Sequence, residues 1–187
     1  MIKVMKDCER DAILNTADAM CLAAKTAPKG SGRDTVVACV LTGEDKDALS
    51  KKMREMGEAT GVPIFDRDAG NLDASTAVVI IGCKRAPFGM SNCSMCGYEN
   101  CAKMKKSGGN CVFNITDLGI AVGSAVSIAA DNRIDNRVMY TIGRAALKMN
   151  CLGEDVDIAW GIPLFAGSKS VFFDRAPGAT VNLSTEE

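Results

Sequence analysis

The sequence predicts an α+β domain, on three observations. Apolar residues recur at helical spacing near the N-terminus and again over 134–149. Runs rich in β-branched residues at 35–41 and 77–83, and a period-two stretch over 155–162, read as strands. The resulting order is helix, strand, helix, strand, loop, two helices, strand, strand, which does not alternate strictly as a doubly wound sheet would. With 187 residues and 47% hydrophobic content, residues 1–187 are expected to form one domain around one core, with a cysteine-rich loop at 83–111.

From Asp7 to about Ala27 the residues Ile13, Ala17, Met20 and Ala24 make one apolar helical face, and Pro28 stops the helix. Ala27 to Arg33 then forms a basic, glycine-rich turn whose amides and cations suit an anionic group; its glycine spacing is not that of a Walker loop. Thr35 to Leu41 is a buried strand, and Thr42 with Asp45 resembles a capping signal for a helix carrying Leu49, Met53 and Met56. Gly57 to Gly61 ends that helix, Val62 to Phe65 is expected to be extended, and Ala77 to Cys83 is a second buried strand that leads into the cysteine loop. Asp117 is expected to cap a small-residue helix running to Asp131, and Ile134 to Met149 forms the next helix, with Val138, Ile142, Ala145 and Met149 on one face. Val156, Ile158, Trp160 and Ile162 then alternate along a strand that Pro163 closes, and Val171 to Phe173 is a short last strand.

Composition excludes several classes of function. Twenty-two basic and twenty-three acidic residues leave a net charge of −1 without a block of either sign, so no nucleic-acid partner is expected. Charge interrupts the N-terminus before any apolar run develops, which argues against a secretory signal and for the cytoplasm. Leu118 to Ala130 is shorter than the roughly 18–20 residues a membrane helix needs, so no membrane partner is expected. With no histidine in the chain, imidazole bases and mixed Cys/His metal sites are ruled out.

Chemistry therefore falls to sulfur. Of nine cysteines, Cys93, Cys96, Cys101 and Cys111 lie within nineteen residues at C-x2-C-x4-C-x9-C spacing, in a segment punctuated by Pro87, Gly89, Gly108 and Gly109. One loop can present four thiolates to a 4Fe-4S cluster or to a tetrahedral zinc. Structural zinc usually takes two close cysteine pairs, and only Cys93 and Cys96 form one here; three close cysteines and one more distant are more usual for a cluster. Cys83 is the alternative to Cys111 as the fourth ligand. Cys8, Cys21, Cys39 and Cys151 fall on or near regular elements, where a free cysteine packs as a small apolar residue. Tyr98, inside the loop, is placed to shield a cluster from water.

The run Cys-x-x-Cys-Gly-Tyr-x-x-Cys resembles the cluster motif of ferredoxin-like modules in anaerobic electron-transfer and corrinoid proteins. Over its length the chain resembles a family of small prokaryotic proteins described as containing a ferredoxin domain. That resemblance rests on Ala27-Pro28-Lys29-Gly30, Asn114 to Gly119 and Gly161 to Leu164, and it implies a 4Fe-4S protein. The order of elements is also similar to that of FMN-dependent nitroreductases, which implies a nitroreductase-like sheet flanked by helices, with the cysteine-rich loop inserted. That likeness further implies a homodimer with FMN between subunits, Pro28, Lys29 and Gly30 approaching the flavin ring, and Lys169 or Arg175 meeting its phosphate. The arginine- and serine-containing phosphate segment of nitroreductases is absent, and Lys29 stands where a serine is common.

The function expected is that of an iron-sulfur redox protein: an electron carrier or oxidoreductase, linked to a flavin or to an external partner, either a redox protein or a small-molecule acceptor. The alternatives are a zinc-stabilised interaction module without redox activity and a cluster used as a sensor.

Overall fold

The computed structural model describes residues 2–173, in which helices cover both faces of one antiparallel sheet. Helix α1 (Met5–Thr26) leads through a single 3-10 turn at Gly30–Gly32 to strand β1 (Val36–Thr42). Helices α2 (Gly43–Thr60) and α3 (Ile64–Ala74) precede β2 (Ala77–Lys84). After the cysteine loop come α4 (Cys101–Lys106), α5 (Val112–Asp131), the two-residue β3 (Asp135–Asn136), α6 (Tyr140–Lys148) and β4 (Val156–Phe165). The strand order is β1-β2-β4-β3.

Strand β2 reads as continuously apolar because it is buried on both sides. Ala77, Val79, Ile81 and Cys83 pack with α1 and α5, while Val78 and Ile80 pack with α2, α3 and α6. Each fully buried Val or Ile side chain contributes about 1.5–3 kcal/mol of transfer free energy. A surface ion pair such as Lys3–Asp11 contributes about 0–1 kcal/mol, so the two apolar layers dominate the stability of the scaffold. Helix α6 lies so close to β4 that a Cβ on Gly143 would be 1.8 Å from the Ala159 carbonyl oxygen, a contact only glycine permits.

Several local expectations are corrected. Val62 to Phe65 is not extended; it opens α3, with Pro63 just before the first turn at φ −68°, ψ −16°, where a missing N–H costs nothing. Helix α5 begins at Val112, five residues before Asp117, so Cys111 occupies the N-cap position and Asp117 lies inside the helix. Its 20 residues are long and apolar enough, by length and composition, to cross a membrane, which overturns the length argument; here α5 packs against α1 and the sheet. Thr42 precedes α2 without a side-chain capping bond. The stretch 134–149 is not one helix, because Met139 exchanges backbone hydrogen bonds of 2.8 and 3.0 Å with Gly161 and so delays α6 to Tyr140. Strand β4 runs through Pro163, which sits where pairing on the β3 side is interrupted between Gly161 and Leu164. Residues 171–173 form a turn that buries Phe172.

Candidate metal centre

Strand β2 ends where Lys84 N–H donates to Thr35 O (2.9 Å) and Arg85 N–H to Asp155 O (3.0 Å), and the chain then leaves the sheet. The loop reverses direction through left-handed backbone at Asn92 (φ 57°), Ser94 (φ 47°) and Gly97 (φ 82°). Gly97 N–H donates to Ser94 O, and Asn100 caps α4 by accepting from Lys103 N–H at 2.9 Å. These turns set Cys93 and Cys96 on the loop and Cys101 on the first residue of α4. Helix α5 supplies Cys111 at its N-terminus, where the first-turn amides favour negative charge.

Cys93, Cys96, Cys101 and Cys111 all line one pocket, together with Phe88, Met90, Tyr98, Met104 and Phe113. No charged side chain belongs to this lining; Met104 is fully buried and Cys111 is 7% exposed. Among the described residues no three Cys, Asp or Glu side chains come together closely enough to grip a single metal ion. The donor set is thus four sulfurs spaced around a common hollow.

The remaining thiols are elsewhere. Cys83 is a core residue of β2, 3% exposed and outside this lining; burial first, then Asp157 and Asp117, push its thiol up to about 11. Burial pushes Cys39 up to about 12, and raises Cys21 and Cys151 as well. Cys8 is exposed, and all nine cysteines are free.

The 27–33 turn touches the same region from the other side. The Phe88 ring is stacked against Phe113 (4.9 Å between centroids) and carries the Arg33 guanidinium 4.8 Å above it. A Cβ on Gly30 would lie 2.6 Å from Phe88 Cζ, so glycine lets the turn close on the pocket wall. Gly30 N–H donates to Asp117 Oδ1 at 2.9 Å, tying the turn to α5. This latch was not visible in the sequence, where Asp117 resembled a cap. Asp117 Oδ2 and Asn114 Nδ2, one helical turn apart, are buried without hydrogen-bond partners.

Of the residues expected to hold a flavin, Pro28 is exposed beside an open groove shared with Lys25, Ala27, Lys29, Gly32 and Asp34. Lys29 Nζ donates to the carbonyls of Ala24 (2.9 Å), Lys25 (2.7 Å) and Ala27 (2.9 Å), closing the C-terminus of α1. Lys169 is exposed on the bend after β4, and among the described residues no pocket or hydrogen bond joins it to the 27–33 turn. Arg175 lies outside the described residues.

The fold defines the class. This arrangement is the nitroreductase fold, shared with a putative nitroreductase in complex with FMN from Desulfovibrio desulfuricans (TM-score 0.57, 15% identity, 88% of this chain and 80% of that one). It is shared also with nitroreductase CinD from Lactococcus lactis in complex with chloramphenicol (TM-score 0.56, 17% identity, 86% and 82% covered). At such identities the likeness is one of fold. Residues 107–175 match the family described as "uncharacterized protein containing a ferredoxin domain (DUF2148)". A protein of Archaeoglobus fulgidus is 41% identical over 180 residues, covering 92% of this chain and 96% of that one. The chain belongs to this ferredoxin-domain family.

Proposed function

We propose that Cys93, Cys96, Cys101 and Cys111 hold a 4Fe-4S cluster and that the protein passes single electrons, as a carrier or as part of an oxidoreductase. The observation that carries this reading is the uncharged, four-thiol lining of one pocket. Structural zinc usually takes two close cysteine pairs and only Cys93 and Cys96 form one here, whereas a cluster takes its thiolates on separate irons. The donor chemistry fits the cluster, and the zinc-stabilised module is the weaker reading. When bound, a cluster supplies one-electron exchange. The chain's own part is to supply the thiolates, to exclude water with Phe88, Phe113, Tyr98 and Met104, and to anchor Cys111 at the start of a long helix.

A flavin at the 27–33 turn is less well supported. The Lys29 ammonium group and the Gly30 amide are both committed within the chain, so neither fits as a flavin donor. A homodimer is favoured by the outer face of α5, where Ile115 and Ile120 are exposed beside Gly119 and Gly123. We place the protein in a reducing compartment, where free thiols persist.

The test is to purify the protein without oxygen and reduce it with dithionite. Broad visible absorbance that bleaches on reduction, and disappears in Cys96→Ala, is expected. A colourless protein, or one whose colour survives the substitution, contradicts the assignment.

A further inference from the structure

Residues 83–111 hold five cations, Lys84, Arg85, Lys103, Lys105 and Lys106, against the single anion Glu99, in a chain whose net charge is −1. The segment that carries the thiols is therefore basic and the remainder of the chain acidic. Lys84 is paired with Asp155, Arg85 with Asp157, and Lys103 with Glu99. Lys105 and Lys106 are exposed at the end of α4, the helix that begins at Cys101, and among the described residues neither has an ion-pair partner. On the same loop Met95 is 65% and Met90 44% exposed, and Met90 also lines the thiol pocket.

From this we infer that α4 and the Met90–Met95 stretch form the docking face for a small acidic one-electron carrier of the ferredoxin type. The inference rests on the cluster reading and adds the partner and the place where it binds. Electrons must cross where the centre is nearest to solvent, and that is the loop holding its ligands. Paired lysines add little net field, but two unpaired cations on α4 and the exposed methionines of the loop that lines the same pocket give long-range attraction with an adaptable apolar contact. A second copy of this chain would bring the same basic face and be repelled, so the partner is a different, acidic protein. With a cluster held by Cys93, Cys96, Cys101 and Cys111, the exchange would be of one electron from the reduced carrier, which is oxidised, to this protein, which is reduced; no bond, proton or leaving group would move.

The experiment uses the cluster-loaded protein under argon, with both partners oxidised. An acidic two-cluster ferredoxin is titrated calorimetrically, with cytochrome c as a basic protein of the opposite charge. Lys105→Glu/Lys106→Glu is expected to weaken ferredoxin binding by about tenfold or more at low ionic strength, and the difference should vanish near about 0.5 M salt. Lys51→Glu/Lys148→Glu makes the same charge change on exposed positions of α2 and α6, on the other side of the sheet, and should leave binding within about twofold of wild type. Equal weakening by both double variants, cytochrome c binding as tightly as ferredoxin, or no ferredoxin binding would each overturn the docking face. Iron is assayed in the same samples. A chain that takes up no iron fails the cluster reading and this inference with it, whereas a loaded protein with charge-insensitive binding fails only the inference.

Discussion

Cys83 and Cys93 stand ten residues apart and in opposite surroundings. Cys83 is paired with Val36 across two strands, is 3% exposed and packs among hydrocarbons with its thiol pushed up to about 11. Cys93 sits on a loop built from left-handed turns and lines a pocket with three other cysteines. In the sheet a cysteine replaces an alanine or a valine, and burial holds it neutral. In the loop the backbone is bent repeatedly to bring thiols to one place, an arrangement that apolar burial alone does not require. The two regions also differ in what keeps them ordered. The sheet and its helices are held by two extended apolar layers, whereas the loop is held by a smaller set of contacts: local turns, one cap, the Phe88–Phe113 and Arg33–Phe88 ring contacts, the buried Met104 and the exposed pair Lys103–Glu99. The loop should therefore depend on its ligand, and the scaffold should not.

The largest break in this comparison is expected in the scaffold. Gly143→Val would drive side-chain atoms into the Ala159 carbonyl and force α6 off β4, at a cost of about 3 kcal/mol or more. Thermal unfolding should show a large drop in Tm or no folded protein, with or without iron. A variant as stable as wild type would show that the two elements can part at no cost.

Next come the loop thiols. Cys93→Ala and Cys111→Ala are each expected to lose most bound iron, while Cys21→Ala and Cys83→Ala keep it. Because the loop adds little to the scaffold, Cys93→Ala without metal should unfold within about 1 kcal/mol of the metal-free wild type. Iron retained equally in all four variants would erase the distinction between strand and loop thiols.

The smallest effect concerns pH. Burial raises Cys39 to about 12 and Cys83 to about 11 from an ordinary 9.0, so both remain neutral in the folded chain while the unfolded chain loses their protons near 9.0. The unfolded state then binds fewer protons, and stability contributed by these thiols is complete below pH 9 and falls as pH rises from there through about 11 to 12. Iodoacetamide labelling of metal-free native protein at pH 8 should accordingly spare Cys39 and Cys83. Their labelling at the rate of a free thiol would contradict the burial assigned to them.

Much of the scaffold was legible because its periodicities are clean. The Ile13, Ala17, Met20 and Ala24 stripe gave α1, and the apolar runs gave β1 and β2. Errors gathered where one residue type serves two purposes. Val62 to Phe65 resembled an extended segment but opens α3, and Pro163 resembled a strand end but sits in a gap of the ladder. Asp117 resembled a cap, yet it binds Gly30, 87 residues away in sequence. Those roles depend on tertiary neighbours that local pattern does not encode. The four thiols were legible from spacing, but the Phe88 ring that ties their pocket to the 27–33 turn had no local signal.

Iron, acid-labile sulfide and zinc measured per chain in protein purified without oxygen test the central claim most directly. About four irons and a matching amount of sulfide per chain are expected, with little zinc. One zinc per chain and no iron would contradict it.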